Sequence, residues 1–263
     1  MHKTDIIIGV VILLLFAYWM PKSIILSLGK FYPMILTHTQ KSIIDSNKNN
    51  KVKQIALTFD DVPYSKDGSF REIIKLLDKH NMKGTFFVIS NNVNETSRKL
   101  LVDIVKNGHQ LGNHGKKDIM HFKLNKENLT KEIMDCDKLI KSIYSEANVD
   151  QPKTMLYRPG CGFFNNMMLN LCEELNYILT LGSVYPYDPA IQFPIINYLY
   201  LKYHISSSEI INDIVILHDR SWTPSMLDMF LDYMIQNNIS STTVQNLLND
   251  CDFKKVGVQK SNL

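Results

Sequence analysis

The chain has 263 residues, 45% hydrophobic and 21% charged, with 29 Lys and Arg against 26 Asp and Glu and a formal net charge of +3. This length supports one large domain or two small ones around a real core, and 11 Gly with 9 Pro exclude collagen-like and low-complexity chains. The charges are interspersed without a basic block, so no nucleic-acid partner is implied. Four Cys with no Cys-x-x-Cys pair exclude a zinc ribbon and a thioredoxin-type motif, and leave between zero and two disulfides open.

Residues 6–20 (IIIGVVILLLFAYWM) form an unbroken apolar run closed by Pro21 and Lys22. The run is shorter than the roughly 20 residues that span a bilayer, but it lengthens if Lys22 snorkels and residues 23–28 join it. No small-x-small cleavage site follows, so residues 1–29 read as a signal anchor in preference to a cleaved signal peptide. The expected location is therefore membrane-anchored or secreted, with the remaining chain outside the cytoplasm and the membrane as a partner. Residues 30–51 read as a linker, polar and rich in Asn and Lys towards its end, and residues 251–263 as a tail.

From residue 54 the pattern alternates. Strands are predicted at 55–59, 85–89, 110–112, 155–157, 178–181 and 214–217, and helices at 70–80, 97–106, 126–144, 166–175, 193–202 and 224–236. A last strand and a short helix fit within 240–249. Such alternation means parallel pairing through helical crossovers, hence an α/β fold: an open doubly wound sheet or a barrel. The predicted strands end in polar side chains: Asp60 and Asp61, Asn113 and His114, Arg158, His218 and Asp219, with Asp188 just beyond the 178–181 strand. In a β/α barrel all these ends share one rim, so scattered residues converge there.

Two adjacent carboxylates with a His suit a divalent metal, and zinc with an open position activates or positions a nucleophilic water. A carboxylate outside the metal can take a proton and a separate His can give one, which is a hydrolase constellation. The Gly-x-Ser-x-Gly elbow, the phosphate-binding Gly-x-x-x-x-Gly-Lys loop, His-Glu-x-x-His and Gly-x-Gly-x-x-Gly are missing from the sequence.

Four motifs then carry a family resemblance: Thr58-Phe59-Asp60-Asp61-Val62-Pro63, Gly108-His109 with Asn113-His114, Arg158-Pro159-Gly160-Cys161-Gly162, and Ile216-Leu217-His218-Asp219. In this order and over residues 52–250, the chain resembles the polysaccharide deacetylases (NodB-homology domain, carbohydrate esterase family four). The resemblance implies a distorted (β/α) barrel of about seven strands and metal-dependent removal of acetyl groups from N-acetylated amino sugars in a glycan such as chitin or peptidoglycan. It implies Asp60 as general base, Arg158 orienting that base and His218 as general acid, with Asp188 orienting the acid. It also implies Asp61 and His114 as ligands of a divalent metal, zinc first, with cobalt or manganese as alternatives. The backbone N–H near Cys161 would help hold the oxyanion.

The family's third ligand is a His four residues after the first. Here that position is Asp118, as in a eukaryotic-type branch of the family, and His121 lies three residues further on. Asp118 is the expected ligand, because offset sets loop geometry and a carboxylate is a legitimate zinc ligand. Gly115, Cys161 and Val62 replace a Ser or Thr, a Tyr and a Gly of the family pattern and bear on substrate fit. Tyr185, Tyr187 and Trp222 follow strand ends, where they either stack on a sugar or pack in loops. His80 and His109 read as structural residues. An inactive surface glycan-binding protein and an O-acetyl esterase are the competing functions.

Overall fold

The computed structural model describes residues 21–39, 53–64, 68–152, 155–208, 210 and 212–249. The apolar run at 6–20, most of the expected linker and the tail lie outside them. Among the described residues no helix is long and apolar enough to cross a membrane.

The core unit is a strand followed by a covering helix. Strand β3 (Lys53–Val62) is buried on both faces from Ile55 onward, which is how a strand covered on both sides of a parallel sheet reads. Helix α2 (Ser69–Lys79) follows it and buries Phe70, Ile73, Ile74 and Leu77 along one face. The unit repeats through β4 (Gly84–Val88), α3 (Glu95–Lys106), β5 (Gln110–Asn113), α4 (Lys126–Ala147), β6 (Met155–Tyr157), α5 (Asn166–Glu174), β7 (Tyr177–Thr180), α6 (Pro194–Ser206), β8 (Asn212–His218), α7 (Thr223–Gln236), β9 (Ile239–Thr242) and α8 (Val244–Asn249). Helices α3, α4 and α5 each start behind an Asn (Asn94, Asn125, Asn165) whose side chain accepts the backbone N–H three residues on, satisfying a donor the helix leaves open.

The predicted elements from residue 54 all form, with boundaries moved by a few residues. The difference lies upstream. Residues 21–31 form helix α1 (Pro21–Phe31), and residues 35–39 form two short strands, β1 (Ile35–Leu36) and β2 (His38–Thr39). The reading of residue 30 onward as linker is thus corrected for residues 30–39: Ile35, Leu36, Thr37 and Thr39 are buried.

These residues close the sheet. Its strand order is β1-β7-β6-β5-β4-β3-β8-β2, with β9 on the first half of β3. The described pairings are parallel except β2 with β8. The two ends of that order, β1 and β2, are separated in sequence only by Thr37, so the sheet curls into a nearly closed, distorted barrel. The described residues thus hold nine short strands, two more than the sequence suggested, and both extra strands lie in this seam.

Helix α1 is fastened beside the seam. Lys22 Nζ is 3.0 Å from the buried Asp213 and donates to Ser208 Oγ and the His204 carbonyl. At the other end, a Cβ on Gly29 would meet Thr37 Oγ1 at 2.7 Å, so glycine there lets the helix approach the seam. Burial and the Lys22 charge, against Asp213, push His204 down to about 4.

Candidate active site

Strands β3, β5, β6 and β8 deliver their C-terminal residues to one rim, around a cavity of about 430 Å³. Asp60 and Asp61 both line it, although consecutive residues of a regular strand face opposite sides. The pairing of β3 with β4 slips between Phe59 and Val62, and Asp61 takes φ 65°. This irregularity turns both carboxylates inward.

Arg158 is the largest fully buried side chain among the described residues and the hub of the floor. Its Nη1 donates to Asp60 Oδ1 at 2.6 Å and Thr58 Oγ1 at 2.7 Å, its Nε to the Thr180 carbonyl at 3.1 Å, and its Nη2 to the Leu181 carbonyl. The guanidinium lies 4.0 Å from the Phe87 ring centroid. With its donors spread over four acceptors it cannot swing, so Asp60 Oδ1 is fixed and Oδ2 faces the cavity.

Across from Asp60, the His218 ring nitrogen Nε2 lies 3.9 Å from Asp60 Oδ2, too far for a hydrogen bond. Its Nδ1–H donates to Asp188 Oδ1 at 2.9 Å, and the His218 backbone N–H donates to Asp188 Oδ2 at 2.8 Å. Asp188 is fully buried and Trp222 Nε1–H donates to its carbonyl. Burial opposes a charged imidazole, but Asp188 first, then Asp60 and Asp61, overcome it and raise the pKa of His218. The site thus sets a clamped carboxylate opposite an imidazole whose Nδ1 is held by a buried carboxylate.

A second cluster adjoins the first. His114 Nδ1–H donates to the Arg158 carbonyl at 2.7 Å, which turns Nε2 towards Asp61 Oδ1, 3.3 Å away. Burial would lower the His114 pKa, but Asp60 and Asp61 raise it to about 9. Burial likewise works to raise Asp61, and the hydrogen bond and charge of His114, with His218 and Arg220, bring it well below the usual carboxylate range. Two ligand atoms each about 2 Å from a tetrahedral zinc sit about 3.3 Å apart, so the His114–Asp61 pair fits a divalent ion.

Asp118 is exposed in the wall of the same cavity, but the structure does not bring it to the pair. Among the described residues no group of three His, Cys, Asp or Glu side chains is close enough to hold a metal. His121 is fully buried beneath the loop: its Nδ1 accepts the Gly160 N–H at 3.0 Å and pairs with the Tyr157 hydroxyl at 2.8 Å. Its ring occupies the space a side chain on Gly115 would need, with Cε1 at 2.6 Å from a Cβ there. Gly115 is therefore matched to His121. Gly160 is equally constrained, since a Cβ would meet the Ile119 carbonyl at 2.1 Å.

The remaining expectations divide. Cys161 lines the cavity with φ 61°, and Tyr185 and Tyr187 line it with ring centroids 4.6 Å apart. Trp222 is corrected: it is absent from the lining, and its indole braces Asp188 instead of facing a sugar. His109 is structural, accepting the Gly84 N–H. Asn113, too, serves the fold, accepting the Gly115 N–H and donating to the Ile133 carbonyl. Asp219 holds the first motif in place through the Tyr64 N–H and the Ser69 hydroxyl. Sequence reasoning missed Arg220, which lines the cavity and binds Asp61; its only signal was a cation one residue past His218-Asp219.

An α/β barrel with this rim constellation defines a class, and comparison with known proteins names it. The family model for polysaccharide deacetylase matches residues 47–179, and the chain belongs to that family. It is 30% identical over 209 residues, 76% of this chain and 90% of the relative, to a peptidoglycan-N-acetylglucosamine deacetylase of Bacillus cereus. Among solved structures it is similar to a Bacillus anthracis protein described as a CE4 family pseudoenzyme (TM-score 0.67, 17% identity, 82% of this chain and 69% of that one). It is also similar to a family 4 acetyl xylan esterase from Clostridium thermocellum in complex with cobalt (TM-score 0.64, 23% identity, 75% and 91%). At these identities the two structures speak for the fold alone.

Proposed function

We propose that the chain is a metal-dependent deacetylase that hydrolyses the acetamide of N-acetylated amino sugars in a glycan, with its catalytic domain outside the cytoplasm and attached through residues 6–20. The observation that carries the reading is the opposition of Asp60 and His218, 3.9 Å apart and each held by its own buried partner. The peptidoglycan deacetylase relative supports an amino-sugar substrate.

Asp61 and His114 would hold the ion, with Asp118 moving in from the wall to complete its protein ligands; zinc suits these N and O donors, and cobalt or manganese are alternatives. When bound, the ion supplies Lewis acidity towards the acetyl carbonyl and lowers the pKa of a water beside it. Asp60, oriented by Arg158, takes the proton of the attacking water. His218, its tautomer fixed by Asp188, gives its Nε2 proton to the departing amine. The turn at Cys161 offers backbone N–H to the developing oxyanion. Acetate and a free amino sugar result.

The test is acetate release from N-acetylglucosamine oligomers with zinc, cobalt or manganese present. Release that falls at least 100-fold in Asp60→Asn supports the reading. No release across several acetylated glycans sinks it and leaves a non-catalytic glycan binder, whereas release from O-acetylated substrates only would make the chain an esterase.

A further inference from the structure

The cavity that holds Asp60 and His218 has a wall unlike a sugar-binding surface. Ile24, Ile25 and Leu28, one stripe of helix α1, line it, and Phe163 and Pro189 continue the apolar lining. The three branched side chains offer no hydrogen bond, whereas a saccharide presents hydroxyls that need partners when buried. Among the described residues Ile24 and Phe163 are more than half exposed.

The wall is also built rigidly. Lys22 fixes the start of α1 on Asp213, Ser208 and the His204 carbonyl. Gly29 seats it against Thr37, and Tyr32 just beyond it meets Phe164 edge to face, with ring centroids 5.3 Å apart. The chain reaches this helix directly from the apolar run, since residue 20 ends the run and Pro21 begins α1.

We infer that the cavity takes an amphiphile: an N-acetylated amino sugar carrying an alkyl or isoprenyl chain, with the acetamide at Asp60 and His218 and the chain laid along Ile24, Ile25 and Leu28. The inference rests on the deacetylase reading and narrows its substrate from a glycan polymer to a lipid-linked saccharide. A hydrocarbon chain gains by leaving water for such a wall, roughly in proportion to the apolar area covered.

The experiment uses the full chain in lipid nanodiscs and compares dodecyl with methyl 2-acetamido-2-deoxy-glucopyranoside as substrates. The quantity read is the ratio of their kcat/KM values. Partition of the dodecyl chain into the disc raises wild type and variants alike, so the wall is read from the change in ratio. Ile24→Ser with Leu28→Ser should lower the ratio about tenfold, chiefly through KM of the dodecyl glycoside. Ile195→Ser, exposed on α6 and outside the lining, should leave it unmoved. An unchanged ratio in the double variant, or an equal fall for both substrates, overturns the inference. If neither glycoside releases acetate, release from N-acetylglucosamine oligomers decides the deacetylase reading, and calorimetry decides the wall separately: the double variant should bind the dodecyl glycoside about tenfold more weakly, and an unchanged Kd rejects the wall.

Discussion

Arg220 Nη2 donates to Asp61 Oδ2 at 2.5 Å, while His114 Nε2 stands 3.3 Å from Oδ1 of the same carboxylate. This carboxylate, which the proposed function makes a metal ligand, is therefore shared between an imidazole and a cation of the chain itself. The guanidinium is held flat, its Cζ 3.6 Å from the Tyr64 ring centroid and its Nη1 on the Asp219 carbonyl. A divalent ion at Asp61 meets this fixed positive charge. Arg220→Ala should tighten zinc binding about tenfold, equivalent to about 1.4 kcal/mol of relieved repulsion at an effective dielectric nearer water than protein. Arg220→Lys should change it much less. Calorimetric titration with zinc checks this, and weaker binding in the alanine variant would mean that Arg220 orients Asp61 for the ion.

In the proposed mechanism Asp188 acts on the reaction through His218. Replacement by Asn keeps the shape but removes the charge that most raises the imidazole pKa. An acid must be protonated, so activity is lost as pH rises through its pKa. Asp188→Asn should therefore move the descending limb of the kcat/KM profile to lower pH and lower kcat about 100-fold, within the usual range for general acid catalysis. A profile that keeps its descending limb would remove His218 from the acid role.

Much of this arrangement was legible in the sequence, for a physical reason. From residue 54 most strands are short buried runs and most helices amphipathic ones, so period and length together separate them. Helix α6, which leaves Ile195, Ile196 and Leu199 exposed, is told by its length. Barrel topology brings Asp60, His114, Arg158 and His218 to one rim. Residues 21–39 escaped because α1 continues the composition of the apolar run, and strands of two residues carry no alternation to detect. Trp222 escaped because a side chain after a strand end carries no sign of whether it turns to a cavity or to a neighbouring carbonyl. The Asp118 offset named a loop position but could not fix how far that loop stands from His114.

The floor of the site is also a stability element. Arg158→Met removes the partner of Asp60, which is only 4% exposed, and leaves the Thr180 and Leu181 carbonyls without their donor. Breaking one side of a buried ion pair costs about 3–5 kcal/mol, so the urea midpoint should fall sharply. Adding Asp60→Asn should recover part of the loss, because the stranded charge is gone. Strictly additive losses in the two variants would mean that the pair is not coupled.

The seam gives a simpler test. Leu36 is fully buried where β1 pairs with β7. Leu36→Ala should cost about 2–5 kcal/mol of unfolding free energy through lost burial and the cavity left behind. A linker residue would tolerate the change, so an unaltered denaturation curve would detach residues 35–39 from the barrel.

The third ligand is decided by pairing Asp118→Ala with His121→Ala. The His121 Nδ1 accepts a backbone N–H that can only donate, so in the neutral ring the proton sits on Nε2. That nitrogen is buried against Gly115, and burial first, then the charge of His114, push the ring pKa down to about 4. A ligand would have to give up that proton and turn out of its slot, taking the Gly160 bond with it. Asp118 needs no such rearrangement: it is exposed on the cavity wall and must only swing inward with its loop. Asp118→Ala should therefore weaken zinc binding about tenfold or more with little change in melting temperature. His121→Ala should retain zinc but lose about 1–3 kcal/mol of stability, the cost of stranding the buried Gly160 N–H. Metal content after dialysis, read beside thermal unfolding, separates the two, and loss of zinc in the His121 variant alone would transfer the ligand role to His121.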